Sequence, residues 1–242
     1  MLHVLPRRFV RIRFSGFPAN RRRKQSLPLC NQLLHGGPVT WSGRTRSALT
    51  NQLVYPRIEQ GHLRAWVGVG GSPESVVRAA RHGLPLTLAI IGGNPHRFRP
   101  YVDLFHQSLE QFGRPPQPVA VHSPGYVADS DEQAKNDLWP HYAAMMTRIG
   151  AERGWPPASR AQFEREAGPD GALCVGSPDT VARKIVATSR VLGLSRFNMK
   201  YSNGTLPHDR LVRSIELFGT SVAPRIRELM QQDAAAGRSA KA

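Results

Sequence analysis

Three times along this chain a short apolar run breaks at glycine, passes a Ser-Pro or Asn-Pro pair, and resumes with helical spacing. The stretches are "VGVGGSPESVV" from Val67, "AIIGGNPHRF" from Ala89 and "LCVGSPDTVARKI" from Leu173. Serine or asparagine before proline is a helix-start signal. The side chain caps an unpaired N–H, and proline occupies the first helical position, where no N–H is needed. An acid follows in two of the three, Glu74 and Asp179, and meets the positive end of the helix dipole. A strand that hands over directly to a helix, again and again, constrains the fold strongly. Its strands are joined by right-handed crossovers, so they form a parallel sheet covered by helices.

The spacing predicts a strand at 65–69 and a helix at 73–82, then a strand at 85–91 and a helix at 95–112. A strand at 118–128 leads into a helical stretch at 130–153. The Pro-rich break in "GWPPASRAQFEREAG" is followed by a short helix from Ser159 to Glu166. Next come a short extended piece, an amphipathic helix closed by Gly193, a final strand at 196–201 and a closing helix. Four βα units result. An open four-stranded parallel sheet and half of an eight-stranded (β/α) barrel both satisfy that count. The earlier "PVTWSGRTRSALTNQLVYP" reads as short irregular strands.

At 242 residues the chain can bury a sizeable core in one large domain or two small ones. No apolar run approaches the roughly 20 residues that cross a bilayer. The two cysteines, Cys30 and Cys174, suit neither a zinc site nor a disulfide framework, and a cytoplasmic setting is the default expectation. The net charge of +16 is concentrated: residues 1–58 hold 11 Lys/Arg and no acid, leaving only +5 for residues 59–242. The first 27 residues read as a basic, irregular segment. A nucleic-acid arm, a transit-like peptide and a segment without a role all fit it, and it lacks the aromatic platform that single-stranded nucleic acid favours. Residues 28–232 read as the folded portion and 233–242 as a disordered tail.

The stretches "WVGVGGSPESVVRAARHGLPLTLAIIGG", "HYAAMMTRIGAERGWPP", "VGSPDTVARKI" and "GTLPHDRLVRSIELFGTSVAPRIR" together resemble the bacterial luciferase-like monooxygenases. "PVTWSGRTR" from Pro38 resembles the segment entering the second half of that family's barrel. The resemblance is collinear over roughly residues 28–230. It implies an α/β fold of the (β/α)8 TIM-barrel family, here its C-terminal four units, and hence a half barrel. It also implies a flavin-dependent monooxygenase or oxidoreductase acting on a small-molecule substrate. FMN is the implied cofactor, with the deazaflavin coenzyme F420 as alternative and a flavin reductase as electron source. Much of the flavin-ring pocket belongs to the family's first four strands, so a truncated, non-catalytic chain is the competing expectation. A half barrel also exposes two parallel edges, near Val67 and Phe197, and a row of large apolar side chains. A homodimer closing a pseudo-barrel would repair both defects.

The resemblance places the loop after the first strand beside the flavin phosphate. A helix start with free N–H groups and glycines that admit a close approach suits an anion independently. Gly70, Gly71, Ser72 and Ser75 are therefore the phosphate candidates. Gly92 and Gly93 end the next strand on the same face, as pocket wall or as a capping turn with Asn94 and Pro95. "VGSPDT" reads as a capping device, because no proper strand precedes it. His122, with Ser123 and Tyr126, falls at or near the end of the third strand and either moves a proton or packs in a hydrogen-bonded core. His208, with Thr205, either reaches the open barrel face or simply starts the last helix. Lys200 and Asn203 are weaker candidates. Met145 and Met146 read as core. No metal motif is present.

Overall fold

The computed structural model describes residues 20–43, 47–59, 61–201 and 204–239. Most of the basic arm, and Asn203, lie outside these residues. The chain divides into two compact units, Met1–Trp66 and Val67–Ala242.

In the first unit, helix α1 (Asn20–Leu34) precedes an antiparallel pair, β1 (Val39–Trp41) and β2 (Leu49–Gln52), with Val39 opposite Gln52. Helix α1 begins inside the segment expected to be irregular and crosses position 27. Its Arg and Lys residues are good helix formers, and an Arg-rich run without periodicity can still be helical. Leu29 and Val39 are buried, and the N–H of Leu63 returns to the carbonyl of Leu34 at 2.9 Å.

The second unit opens with β3 (Val67–Val69), α2 (Pro73–Arg81) and β4 (Leu86–Ala89). A single 3-10 turn (Pro95–Phe98) runs into α3 (Arg99–Gln111), and β5 (Val119–Val127) follows. Then come α4 (Asp131–Ala151), α5 (Arg160–Ala167), β6 (Cys174–Gly176), α6 (Pro178–Leu192) and β7 (Arg196–Lys200). Helix α7 (His208–Leu217) continues through a π turn into α8 (Ala223–Ser239). Helix α8 thus extends seven residues past position 232, through the Ala-rich stretch expected to be disordered, and alanine is the strongest helix former.

All pairings in this unit are parallel. Val67 faces Leu86, Leu86 faces Val119, and Ala120 faces Arg196, which sets β3, β4, β5 and β7 side by side. This is the strand order of four consecutive βα units. The sequence reading missed a strand: β6 pairs with the C-terminal end of β5, Gly125 opposite Cys174 and Val127 opposite Gly176. Three residues are too few to show periodicity, and only the register with β5 makes them a strand. Gly125 is required there, because a Cβ would lie 2.6 Å from Met199 Sδ and 2.7 Å from the Cys174 carbonyl.

Side chains alternate between the faces of a strand. Odd-numbered positions of β5 and their partners carry the core. Val69, Leu86, Leu88, Val119 and Val121 pack against Val76 and Ala80 of α2, Val102 and Phe105 of α3, and Leu192 of α6. The opposite face was expected to hold large apolar side chains, and it does not. Its register reads Gly68, Thr87, Ala89, Ala120, His122, Pro124, Arg196, Asn198 and Lys200, with no large aliphatic side chain among them. At the C-terminal end Tyr126 and Ala128 meet α4 and α5 in a second core with Leu138, Tyr142 and Phe163.

Candidate active site at the C-terminal ends of the strands

Sites of parallel α/β sheets collect beyond the carboxyl ends of the strands, because every strand ends there in a loop that starts a helix. Three such loops carry the Gly/Ser signature, and the structure separates them by what already sits at each helix start.

At the first loop Ser72 is the cap of α2, its Oγ accepting the Ser75 N–H at 3.3 Å. Ser75 Oγ lies 3.2 Å from Ser72 Oγ. Gly71 has φ +121°, a conformation side chains resist, and its carbonyl accepts the Tyr101 hydroxyl at 3.0 Å. A Cβ on Gly70 would meet nothing within 4 Å. Space is therefore open beside a helix start bearing two hydroxyls. A carboxylate of the same turn, Glu74, accepts the Ser72 hydroxyl at 2.7 Å.

The other two loops are filled from within the chain. Glu166 of α5 accepts the Gly93 N–H through both oxygens, at 3.0 and 2.9 Å, and the Ala172 N–H at 3.3 Å. Asn94 Oδ1 meanwhile caps the 3-10 turn through the His96 N–H. At the third loop Ser177 makes no side-chain cap, contrary to the sequence reading. Asp131 of α4 does that work, accepting the Ser177 N–H at 2.6 Å and the Thr180 hydroxyl at 2.9 Å. Burial opposes ionisation of Asp131, but these hydrogen bonds outweigh it and hold the carboxyl below its ordinary range. Both loops hold an anion, and that anion is the protein's own.

His122 is the fourth residue of the nine in β5, so it lies mid-strand rather than at the strand's end, level with Ala89, the last residue of β4. It is half-buried on the polar face. Burial first, then the nearby Lys200 ammonium, lower its pKa, so the imidazole is neutral near pH 7. Ser123, on the other face, is buried and donates to the Ile90 carbonyl at 2.8 Å, tying β5 to the end of β4. Its role is structural.

Beyond β5 a cavity of about 210 Å³ is lined by Tyr126, Asp129, Asp137, Asp209 and Arg210. The Tyr126 hydroxyl donates to Asp137 at 3.3 Å, and Arg210 pairs with Asp137 at 2.9 Å. Burial, reinforced by the Asp137 charge, pushes the phenol up to about 12. Thr205 Oγ1 lies 2.8 Å from His141 Nδ1, which draws α4 against the loop that follows β7. His208 is the exposed first residue of α7, with Pro207 at the cap position, and no hydrogen bond reaches it among the described residues. No hydrogen bond links His122 and His208 among the described residues. Asp137, His141 and Glu166 escaped the sequence reading. Asp137 and His141 share a helix face at i, i+4, yet nothing in the sequence says which loop that face meets.

Lys184 holds the same C-terminal end of helix α5, its buried ammonium donating to the carbonyls of Gly168 at 2.5 Å and Leu173 at 2.6 Å. This closes the C-terminus of the helix carrying Glu166. Among the described residues no group of His, Cys, Asp or Glu could hold a metal, and no helix is long and apolar enough to cross a membrane.

A family model described as luciferase-like monooxygenase matches residues 16–196. The chain belongs to this family. Solved structures agree in fold. Monooxygenase RslO1 from Streptomyces bottropensis superposes with TM-score 0.68 at 20% identity, over 86% of this chain and 62% of that one. The oxygenating constituent of 3,6-diketocamphane monooxygenase from Pseudomonas putida, in complex with FMN, gives 0.60 at 19%, over 86% and 63%. A coenzyme F420 dependent tetrahydromethanopterin reductase from Methanopyrus kandleri gives 0.59 at 19%, over 85% and 62%. No curated protein sequence matches significantly. The luciferase-like chain described here therefore spans a little over three fifths of the solved structures it resembles. Together with the parallel order of β3, β4, β5 and β7, this identifies its second unit as part of a (β/α)8 barrel.

Proposed function

We propose that the chain is a flavin-dependent oxidoreductase that takes the cofactor's phosphate at Gly70, Gly71, Ser72 and Ser75. One observation carries the reading: of the three Gly/Ser loops, only this one has open space and hydroxyls at the helix start without a carboxylate from another element bound in it. Gly92 and Gly93 are then a pocket wall held in shape by Glu166, rather than phosphate ligands. The residues present fit a phosphate: the Ser72 and Ser75 hydroxyls can turn to it from Glu74 and from each other, and the α2 dipole favours negative charge.

A bound reduced flavin would supply two electrons to oxygen, one atom of which enters the substrate while the other leaves as water, whereas a deazaflavin would supply hydride alone. FMN is the favoured cofactor, since family membership is to a monooxygenase model. Coenzyme F420 stands as the alternative, being named for two fold neighbours. The chain's own residues would bind, orient and move protons. Neutral His122 can accept a proton on the polar face, with Lys200 supplying positive charge beside it. Tyr126 stays protonated at all ordinary pH, with its proton directed to Asp137. His208 would contribute from the α7 start only if substrate reaches it. A flavin reductase is the implied electron source for a monooxygenase of this class, and the site is one of a cytoplasmic enzyme acting on a small molecule.

A second reading is a non-catalytic half barrel that pairs with its own copy. It is favoured by the free edges of β3 and β7, each hydrogen-bonded to a strand on one side only among the described residues. Fluorescence titration with FMN and coenzyme F420 tests the first reading. Saturable micromolar binding that is lost on Gly71→Asp supports it; no binding at millimolar cofactor sinks it. Sedimentation of the same sample separates a dimer from a monomer.

A further inference from the structure

Apart from the strand-end loops, α4 and the turn entering α5 enclose a cavity of about 150 Å³. Three aromatic rings line it, Tyr142, Trp155 and Phe163, with Met146 and Pro156 between them and Gln162 at the polar side. The Tyr142 and Phe163 rings pack at 5.2 Å, and Arg153 sits over the outer ring, Trp155, at 5.0 Å. Tyr142 is only 8% exposed, yet no described side chain or backbone group accepts or donates a hydrogen bond at its hydroxyl. That hydroxyl is not sealed from solvent, as the indole nitrogen of Trp41 is. A nearly buried phenol costs free energy unless something completes its hydrogen bonding. Burial, then the Glu166 charge, raise its pKa, so it stays a donor. Water entering the cavity can complete that hydrogen bonding, and a ligand oxygen can replace the water.

We infer that this cavity is a binding site for a single-ring aromatic molecule carrying an oxygen acceptor, seated against the packed Tyr142–Phe163 pair and under Trp155, with Tyr142 donating to the oxygen. The size agrees, since a cavity of about 150 Å³ has room for one benzene ring, and here Ser159 and Gln162 add a polar side to it. Aromatic walls favour a flat π-surface over a branched aliphatic one through offset and edge-to-face contacts. The site lies on α4, whose middle reaches Thr205 and Tyr126, so occupancy would stiffen the helix that covers the strand ends. The inference does not depend on flavin binding.

Phenol and benzene are the probes, titrated into the full chain and followed by ligand-observed NMR, with circular dichroism confirming that each variant is folded. Phenol should saturate. Ala158→Trp, which fills the cavity from its rim, should abolish binding of both probes. Tyr142→Phe should weaken phenol about fivefold, the worth of one neutral hydrogen bond, and leave benzene unchanged. Absence of saturation in a folded chain overturns the site. So does full binding by Ala158→Trp, and an unchanged phenol affinity in Tyr142→Phe removes the role given to the hydroxyl.

Discussion

Both carboxylate oxygens of Glu166 converge on one donor, the backbone N–H of Gly93, 73 residues away in sequence. The contact joins α5 to the loop that ends β4, and one oxygen also receives the Ala172 N–H before β6. A single side chain therefore sets three segments at the strand ends.

Glu166→Ala should leave two backbone donors without their acceptor. Hydrogen bonds to a charged group are worth about 1.5–3 kcal/mol, so a loss of about 2 kcal/mol is expected in urea unfolding. Glu166→Gln keeps one acceptor oxygen and should lose less. Equal stability of all three proteins would mean that the Gly93 loop holds its shape by itself.

Asp131 substitutes for the missing cap of α6. Asp131→Ala should cost about 1 kcal/mol, as cap removals do. The pH dependence follows from the direction of the shift. Its folded pKa lies below the ordinary 3.8, so the stabilisation is fully present above that value. It is lost as pH falls through the folded pKa. Asp131→Asn should unfold with a flatter dependence below about pH 4, measured by acid titration of the circular dichroism signal.

His122 should titrate below 6.5, because burial and Lys200 both disfavour the imidazolium. Proton NMR of the ring resonances measures this directly. Lys200→Met should move the titration upward without restoring the ordinary value, since burial is the larger cause. In linkage terms the folded chain binds fewer protons than the unfolded one. The associated stability is present above about pH 6.5 and declines as pH falls through the folded pKa. A titration above 6.5 would contradict the half-buried setting.

Glu74 stands in the first turn of α2 and holds the Ser72 hydroxyl. For the helix it is favourable, but toward a phosphate at the same loop it is repulsive. Glu74→Gln should tighten FMN binding by roughly two- to fivefold and make it less dependent on salt, as removal of a like charge near a partly exposed site does. Weaker binding would place the phosphate elsewhere.

Much of this fold was legible as pattern. Val67–Val69, Leu86–Ala89, Val119–Val127 and the helices after them follow from apolar periodicity and from Ser72, Asn94 and Pro73, all local signals that a few neighbouring residues settle. The collinear stretches from Trp66 onward likewise carried the family. The tertiary structure decided matters of register and of distant partners. Strand β6 exists only because Cys174–Gly176 lies alongside Gly125–Val127, and His122 sits mid-strand because β5 is long. Three glycine loops look alike in sequence. Two are filled by Glu166 and Asp131, residues 73 and 46 positions away, while the third is left open. Capping by a nearby serine is encoded locally, but occupation of a helix start by a remote carboxylate is a property of packing. So is the polar face of the sheet, whose members Thr87, His122 and Asn198 become neighbours only when three parallel strands settle their register.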